Sequence, residues 1–288
     1  MAGLRGAWLV LPVALGPAVA DALHDISTVP RSLASVALWA LWAIGLTATL
    51  IPLPVSLTAL RLGAPAVALV AAWGAAAGGE AISTVPGLLM ATVVVVAAFS
   101  APVADRFVDG ASYGDERRFQ LRAPGPVVVV LGPMATLVAI GGLTLGPVLL
   151  LDGRWMAGAI AAIVGVPAAA VAIRALHRLS RRWIVLVPAG FVLHDHLALA
   201  EPTLLQRSGL LWIRAAPVDT DALDLSQQAR GLALEVMCLE PHDVLPAGRG
   251  RSSRGRAVEV RSIDAFLCSP VRPDVVLAAA ARRLLPVG

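Results

Sequence analysis

The triplet His194-Asp195-His196 has the residue types and spacing that could do chemistry. Two histidines at positions i and i+2 of a strand point to the same face, so His194 and His196 could share a metal ion. A third ligand could come from Asp221, Asp224 or His242, but none stands at a spacing typical of a metal site. We interpret the triplet as a polar turn between strands, and we predict no metal and no cofactor.

A second group of ionisable residues lies in or beside the apolar segments: Asp21, His24, Asp25, Arg61 and Glu80. Ionisable side chains at membrane depth can mark an ion or proton pathway. Asp21, His24 and Asp25 fall at a segment boundary, where water would solvate them, which favours an ordinary charged loop. They remain pathway candidates, and Asp21 is the deepest of them.

Two sets of arginines could bind anionic lipid headgroups. The first set is Arg174, Arg178, Arg181 and Arg182, and the second is Arg249, Arg251, Arg254 and Arg256. The first set also has the composition of stop-transfer charge, and the second lies in a Gly/Ser-rich stretch typical of flexible loops. The sequence contains no P-loop, Gly-x-Ser-x-Gly elbow or His-Glu-x-x-His motif, and we assign no catalytic residue.

The elements that would position these residues are strongly apolar. The chain is 58% hydrophobic and 15% charged, with a mean hydropathy of +0.79, whereas a soluble domain is nearer ~45–50% apolar and ~25% charged. We predict an α-helical membrane bundle over residues 1–176, with spans at about 7–23, 32–52, 63–79, 85–104, 126–151 and 155–175. The third span is short and contains Pro65, so it could be tilted or re-entrant.

The first span has a competing interpretation as a signal peptide, since Arg5 precedes an apolar core and Ala18-Val19-Ala20 resembles a cleavage site. We favour a retained helix, but both interpretations stay open. Arginine is concentrated in alternate connections, beginning with Arg5, Arg61 and the loop 105–125 and ending with the tail. The positive-inside rule therefore predicts a multi-pass plasma-membrane protein with both termini in the cytoplasm.

A five-residue segment, Ile26–Pro30, recurs as Ile82–Pro86, each copy just before a long span. Ser or Thr would cap the free amides of the next helix, and Pro suits its first turn. A duplicated helical hairpin would produce this pattern, and so would chance or a shared need for a helix cap. Parallel repeats occur in some transporters, which motivates a transporter or channel subunit as an alternative function.

From Arg182 onward, short β-rich runs replace the long apolar segments. The predicted strands are 183–188, 191–194, 203–205, 210–213, 232–239, 257–260 and 265–268, followed by a helix over 274–285. Cys238 and Cys268 lack CxxC spacing, and we expect both to be reduced core residues. This order predicts a soluble α+β domain over residues 177–288.

Seven strands and a closing helix, with the Arg181-Arg182-Trp183 entry, the Pro188-Ala189-Gly190 turn and the Ser269–Pro273 helix start, resemble the PH-like domains attached to membrane helices in actinobacterial proteins. The resemblance implies a cytosolic PH-like β-barrel that binds or assembles rather than catalyses. We therefore expect a membrane-anchored interaction module whose partners are the lipid bilayer and another membrane or cytosolic protein, without nucleic acid. A metal-dependent membrane enzyme using His194 and His196 is the second alternative.

Overall fold

The computed structural model describes residues 1–77, 80–247 and 260–288. The chain divides into two compact units. Unit 1 comprises Met1–Phe107 and Pro133–His177, and unit 2 comprises Val108–Gly132 and Arg178–Gly288. The predicted domains assign residues 108–132 to the membrane region, whereas the structure places them in unit 2.

Unit 1 is helical. Its helices are α1 (Ala2–Leu23), α2 (Thr28–Leu50), α3 (Pro54–Ala76), α4 (Ala81–Ala98), the short α5 (Ala101–Asp109), α6 (Gly132–Leu151) and α7 (Trp155–Leu179). The last residues of α5 and α7 and the first residue of α6 belong to unit 2. A π-helical segment, Val127–Leu131, leads into α6. Within the described residues, six helices are long and apolar enough to cross a membrane, which confirms the predicted multi-pass bundle.

The third span differs most from its prediction. It begins at Pro54, well before the predicted residue 63, because Pro suits a first helical turn and the helix continues through Arg61 and Pro65. Arg61 therefore lies within α3 rather than in a connection, and α3 is a continuous helix of 23 residues rather than a re-entrant one.

The core of the first four helices is organised around Trp8, which is fully buried. Its Nε1 donates to the Trp42 carbonyl at 2.9 Å, and Trp42 Nε1 donates to the Trp8 carbonyl at 2.9 Å. A Cβ on Gly45 would overlap the Trp8 ring, so glycine is what allows α2 to approach α1. The reciprocal bonds satisfy both indole N–H groups in a region that offers no water.

Small residues bring α6 and α7 together. A Cβ on Gly142 would overlap the Gly165 carbonyl, and one on Gly146 would lie 2.9 Å from the Ala162 Cβ. Gly158 packs equally closely against Leu150. A Cβ on Gly141, by contrast, would meet nothing within 4 Å. This is the close backbone contact of small residues typical of membrane helices.

The two copies of the repeated segment occupy different positions. The first starts α2, with Ser27 before the helix and Pro30 in its first turn. The second lies inside α4, where the hydroxyls of Ser83 and Thr84 donate to the Glu80 carbonyl at 2.9 and 3.1 Å. Within the described residues, Ser27 makes no side-chain capping bond. The expected capping role is therefore wrong, and the duplicated hairpin stays a prediction.

Contacts within unit 1 gather the connections predicted to share one side of the membrane. Arg5 Nε donates to the Thr49 carbonyl at 3.1 Å, which joins the start of α1 to the end of α2. Thr58 Oγ1 lies 2.9 Å from His177 Nδ1, which joins the start of α3 to the end of α7. We call this the Thr58 end of unit 1, and we call the opposite end, with Leu23 and the α6–α7 connection, the Asp152 end.

Unit 2 contains two four-stranded sheets. The first has the order β1 (Arg117–Gln120), β2 (Trp183–Val187), β3 (Gly190–His194), β4 (Thr203–Gln206), and all its pairs are antiparallel. The second has the order β5 (Leu210–Ala215), β7 (Leu234–Val244), β8 (Arg261–Cys268), β6 (Leu223–Asp224), in which only β6 and β8 are parallel among the described strands. The final helix, α8 (Pro273–Arg282), begins at a proline as predicted.

One hydrophobic core joins these elements. Phe119, Phe191 and Phe266 are fully buried there, and α8 adds Val276. Cys238 and Cys268 are buried in the same core as free thiols, as expected, and burial raises the pKa of each. The structure confirms an α+β domain after the helices and adds two strands, β1 and β6, that the sequence pattern did not predict.

The first strand of unit 2 comes from the segment between α5 and α6. This strand, β1, pairs with β2 along its whole length, with Phe119 opposite Ile184. Because β1 and β2 belong to one sheet, the loop before α6 and the tail after α7 lie on the same side of any membrane that these two helices cross. This agrees with the predicted alternation of the connections.

Candidate anionic-surface site and apolar cleft

The predicted pathway residues do not form one site. Asp21 and Glu80 are exposed at helix ends, and His24 Nδ1 lies 3.0 Å from Asp25 Oδ1 with both side chains almost fully exposed. Arg61 belongs to the Thr58 end, where its guanidinium lies 5.6 Å from the centre of the Phe99 ring. The structure therefore separates Arg61 from the others. It also brings in His177, which we did not single out although it stands between Arg174 and Arg178.

Arg182 and Asp195 form a buried ion pair in unit 2. Arg182 Nε donates to Asp195 Oδ1 at 2.7 Å and Nη2 donates to Oδ2 at 2.6 Å, and each side chain is 1% exposed. Asp195 Oδ1 also accepts the Leu197 amide at 3.0 Å. The prediction that Arg182 binds a lipid surface is wrong, because its guanidinium is enclosed and fully engaged. In the sequence, Arg182 ends a run of arginines with the composition of stop-transfer charge, and nothing in that run distinguishes it from the others.

Arg122 fastens the early segment of unit 2 to the tail. Its guanidinium donates to the carbonyls of Pro270, Arg230 and Val271 at 3.1, 2.9 and 3.2 Å, and its own carbonyl accepts Arg182 Nη1 at 2.9 Å. A Cβ on Gly231, whose φ is +110°, would overlap the Arg122 side chain. Arg122 therefore has a structural role. In the sequence, nothing distinguishes it from the other arginines of the same segment.

A cluster of arginines and histidines lies at the entry to unit 2; we define it as Arg118, Arg178, Arg181, His194 and His196. The Arg118 guanidinium lies 5.3 Å from the centre of the Trp183 ring, and that ring stacks on His194 at 5.0 Å with an interplanar angle of 13°. Arg178 and Arg181 are exposed. Arg178 and Arg181 of this cluster stand at the end of the last candidate span, where headgroups are expected.

Both imidazoles of the arginine–histidine cluster favour the neutral form. Burial lowers the pKa of His194, Arg181 and Arg118 lower it further, and Asp195 opposes them. Burial likewise lowers the pKa of His196, with the charge of Arg178 acting in the same direction. A neutral imidazole beside two exposed arginines leaves the positive charge on the guanidinium groups, which can hold an anionic headgroup.

The histidine triplet has a structural role for its middle residue. Asp195 gives both carboxylate oxygens to Arg182, so they are engaged in the ion pair rather than aimed at a shared ion with His194 and His196. Asp224 Oδ1 accepts the Ser226 amide at 2.8 Å. Within the described residues, no group of three His, Cys, Asp or Glu side chains is placed to hold a metal ion.

The other predicted lipid-contact arginines fall into two groups. Arg174, like Arg178 and Arg181, is exposed, so these three remain available for headgroups. Arg249, Arg251, Arg254 and Arg256 lie outside the described residues. The lipid-contact prediction therefore keeps three of its four residues at the end of α7 and stays a prediction for them.

Unit 1 contains an apolar cleft of about 1150 Å³. Residues of α2 and α3 form one wall, α6 contributes the other, and α7 adds Ile173. Of the described residues that line the cleft, none is Asp21, Arg61 or Glu80, and Asp152 alone is charged. Sequence reasoning did not find this cleft, because apolar residues that face lipid and apolar residues that line a cavity have the same composition.

Comparisons of the chain with protein-family models, with curated proteins and with solved structures find no match.

Proposed function

We propose that the protein is a membrane-anchored interaction module of the plasma membrane, with both termini cytoplasmic, in which unit 2 binds a partner protein close to the bilayer. The observation that supports this proposal is that β1, from the segment between α5 and α6, pairs with β2, which follows α7. The chain passes between the two units at residues 107/108, 132/133 and 177/178. A soluble unit tied to spans at three points is held at the membrane, where it can present one surface to a membrane or cytosolic partner.

We assign unit 2, within this proposal, to the PH-like type of binding domain. Two sheets of four strands, closed by α8 on a shared core, support this assignment. The isolated bridges Leu121–Pro270 and Leu199–Pro246 add contacts between strand ends in the manner of a barrel. The exposed Arg178 and Arg181 would contact anionic headgroups and orient the unit on the bilayer.

The partner surface that we favour is formed by the edges of the two sheets. Among the described strands, β4 pairs with β3 alone, and it exposes 44% of Leu204. The next strand, β5, pairs with β7 on one side and at Ile213 bonds to Pro286 and Gly288 on the other, so its accessible part is the first residues, where Leu211 is 40% exposed. Edge strands with exposed apolar side chains are common docking sites, because a partner strand can add main-chain hydrogen bonds and cover the side chains.

The test uses the full chain in its native membrane, with a photoreactive amino acid at Leu204. We expect one crosslinked species of constant mass, and we expect substitution of Leu211 by Arg to reduce its yield several-fold. The matched control is Leu232→Arg, which changes another half-exposed leucine of unit 2 outside the sheet edges. Deletion of residues 182–288 is a poor test, because it would expose Phe119 and Leu121 and so create an apolar surface that binds other proteins non-specifically.

Absence of a crosslink at Leu204, Leu211 and Leu239 alike would contradict the proposal, because these positions sample the exposed apolar surface of unit 2. An equal loss with Leu232→Arg would point to a general change of unit 2 rather than to a docking edge. The transporter alternative draws on the repeat, and the enzyme alternative on His194 and His196. Among the described residues, neither has a specific contact or a polar cavity in its favour, since the pathway residues lie apart and Asp195 is engaged by Arg182.

A further inference from the structure

The apolar cleft of unit 1 includes residues of the Asp152 end and extends along α3 as far as Ala59, next to Thr58. Its lining residues run from Pro30 to Ile44 on α2 and from Ala59 to Trp73 on α3, about 21 Å along each helix at ~1.5 Å per residue. At the Asp152 end, the cleft includes Leu23 and Asp152 themselves. On α2, the lining stops at Ile44, roughly 9 Å before the last residue of that helix.

The polar groups of the cleft are concentrated at its mouth. Ser27 and Asp152 lie at the Asp152 end, and both are exposed. Thr144 lies deeper, but its hydroxyl donates to the Ile140 carbonyl at 2.9 Å and so has a partner within its own helix. The depth of the cleft is therefore apolar, and its mouth offers a hydroxyl and a carboxylate.

We propose that this cleft holds the acyl chains of a membrane lipid, with an ammonium-bearing headgroup at Ser27 and Asp152. The walls belong to candidate membrane spans, so hydrocarbon is the surrounding solvent. A gap of this size left unfilled would forfeit the dispersion contacts of all its walls. A lipid chain enters it without any polar group to bury, and among the residues that line the cleft Asp152 alone is charged, so its carboxylate can pair with an ammonium group at the mouth.

The length of the cleft distinguishes a lipid chain from a protein helix. A helix that crosses the bilayer needs a groove along ~30 Å of hydrocarbon, whereas one leaflet is about 15 Å deep. The cleft is longer than a leaflet and shorter than a span. An extended chain inserted from the Asp152 end matches this shape, and a second copy of the protein would not enter it.

The test reconstitutes the full chain in nanodiscs of zwitterionic phosphatidylcholine that contain a trace of phosphatidylethanolamine with a diazirine at the end of one acyl chain. Illumination should attach the label to deep cleft residues such as Ala59 and Ile140. Ala37→Trp fills the cleft and should reduce this labelling several-fold. Ala40→Trp adds the same ring to the same helix at an exposed position outside the cleft and should leave it unchanged.

Ala66→Trp, on α3, repeats the block from the neighbouring helix of the same wall and serves as the second variant if Ala37→Trp fails to fold. Equal labelling of the cleft and of outward residues, or equal effects of Ala37→Trp and Ala40→Trp, would overturn the proposal. Crosslinks between two copies of the chain through the deep cleft residues would also overturn it.

The headgroup is tested with the same diazirine chain on anionic phosphatidylglycerol. In the unmodified protein, the phosphatidylethanolamine probe should label the cleft several-fold more than the phosphatidylglycerol probe. Asp152→Asn should remove this difference while leaving the labelled residues the same, because the chain contacts are intact. Equal labelling by the two probes in the unmodified protein would overturn the assignment of the headgroup.

Discussion

The α6–α7 hairpin of unit 1 and the core of unit 2 bury different kinds of side chain. In α6 of unit 1, the buried residues are Ala139 and Gly146, whereas leucines and valines of the same helix are exposed. In unit 2, the core is built from large apolar residues such as Phe119 and Phe191. The difference follows from the solvent. In hydrocarbon, burial of a leucine side chain gains no hydrophobic free energy, so helix association depends on close backbone contact. In water, the hydrophobic effect drives the large apolar side chains of unit 2 into its core.

The units also treat their buried polar groups differently. Unit 1 satisfies two indoles by reciprocal bonds between Trp8 and Trp42, both of them to main-chain carbonyls. Unit 2 buries a full ion pair between Arg182 and Asp195, and it holds the Glu235 carboxylate with Trp212 and Arg214 at 3.1 Å each. Buried charge is costly unless it is paired and hydrogen-bonded, so these networks make unit 2 sensitive to single substitutions.

The largest effect should come from removing β1 from unit 2. A polypeptide of residues 178–288 should lack a stable fold, because it loses a whole strand and leaves the partners of Phe119 uncovered. Truncation of a buried Phe alone costs about 3–5 kcal/mol, and whole domains are stable by only ~5–15 kcal/mol. Fusion of residues 108–132 to the tail through a flexible linker should restore a cooperative thermal transition, measured by circular dichroism.

The matched control for this experiment is the same fusion with Phe119→Asp, which keeps the length and linker but cannot fill the core. If residues 178–288 alone unfold cooperatively at the same temperature as the fusion, then β1 is not required, and the anchoring argument loses its basis.

The next effect should come from breaking the buried ion pair. Arg182→Met leaves the Asp195 charge enclosed without its partner and should destabilise unit 2 by about 3–5 kcal/mol. Hydrogen exchange of β2 and β3 in the full chain measures this loss, with the peptides of unit 1 as the internal reference. Arg282→Met, at an exposed position of α8, should change the exchange little. Unchanged protection in Arg182→Met would contradict the structural role of the pair.

A smaller effect should separate the two adjacent glycines of α6. Gly142→Ala places a methyl group against the Gly165 carbonyl and should destabilise unit 1 by about 1–3 kcal/mol, the usual cost of overpacking. Gly141→Ala points into open space and should be nearly neutral. Unfolding of the purified protein in mixed detergent micelles with increasing SDS measures both. A similar loss in both variants would mean that helix propensity, and not close contact, controls this hairpin.

The sequence predicts the spans and most strands because each depends on local pattern. Long apolar runs give the six helices, and β-rich runs ended by turn residues give strands such as β2 and β3. The strand β1 escapes prediction, since Arg117–Gln120 is short and charged and becomes a strand only by pairing with a segment beyond two spans. The same holds for Arg182. Its burial depends on Asp195, and no local pattern distinguishes it from the exposed Arg181.

The smallest effect should be the pH dependence of unit 2. The lowered pKa of His194 and His196 means that folding favours the neutral imidazoles, whereas the unfolded chain binds protons near the ordinary value of 6.5. The stability that they contribute is therefore complete above about pH 6.5 and is lost as the pH falls toward their lower folded values. Hydrogen exchange of β2 and β3 between pH 7.5 and 5, corrected for the intrinsic rate, should show this loss.

The variant His194→Gln/His196→Gln should flatten the dependence in that window. Glu235 provides the internal comparison at lower pH. Burial raises the pKa of its carboxyl, but hydrogen bonds from Trp212, Thr220 and Arg214 and the Arg214 charge outweigh burial and hold the pKa below the ordinary 4.5. Its contribution is present above about pH 4.5 and is lost below it, so Glu235→Gln should lower stability at neutral pH and should change the pH dependence only in the acid range. A loss between pH 6.5 and 5 that survives the double histidine variant would assign the effect to other groups.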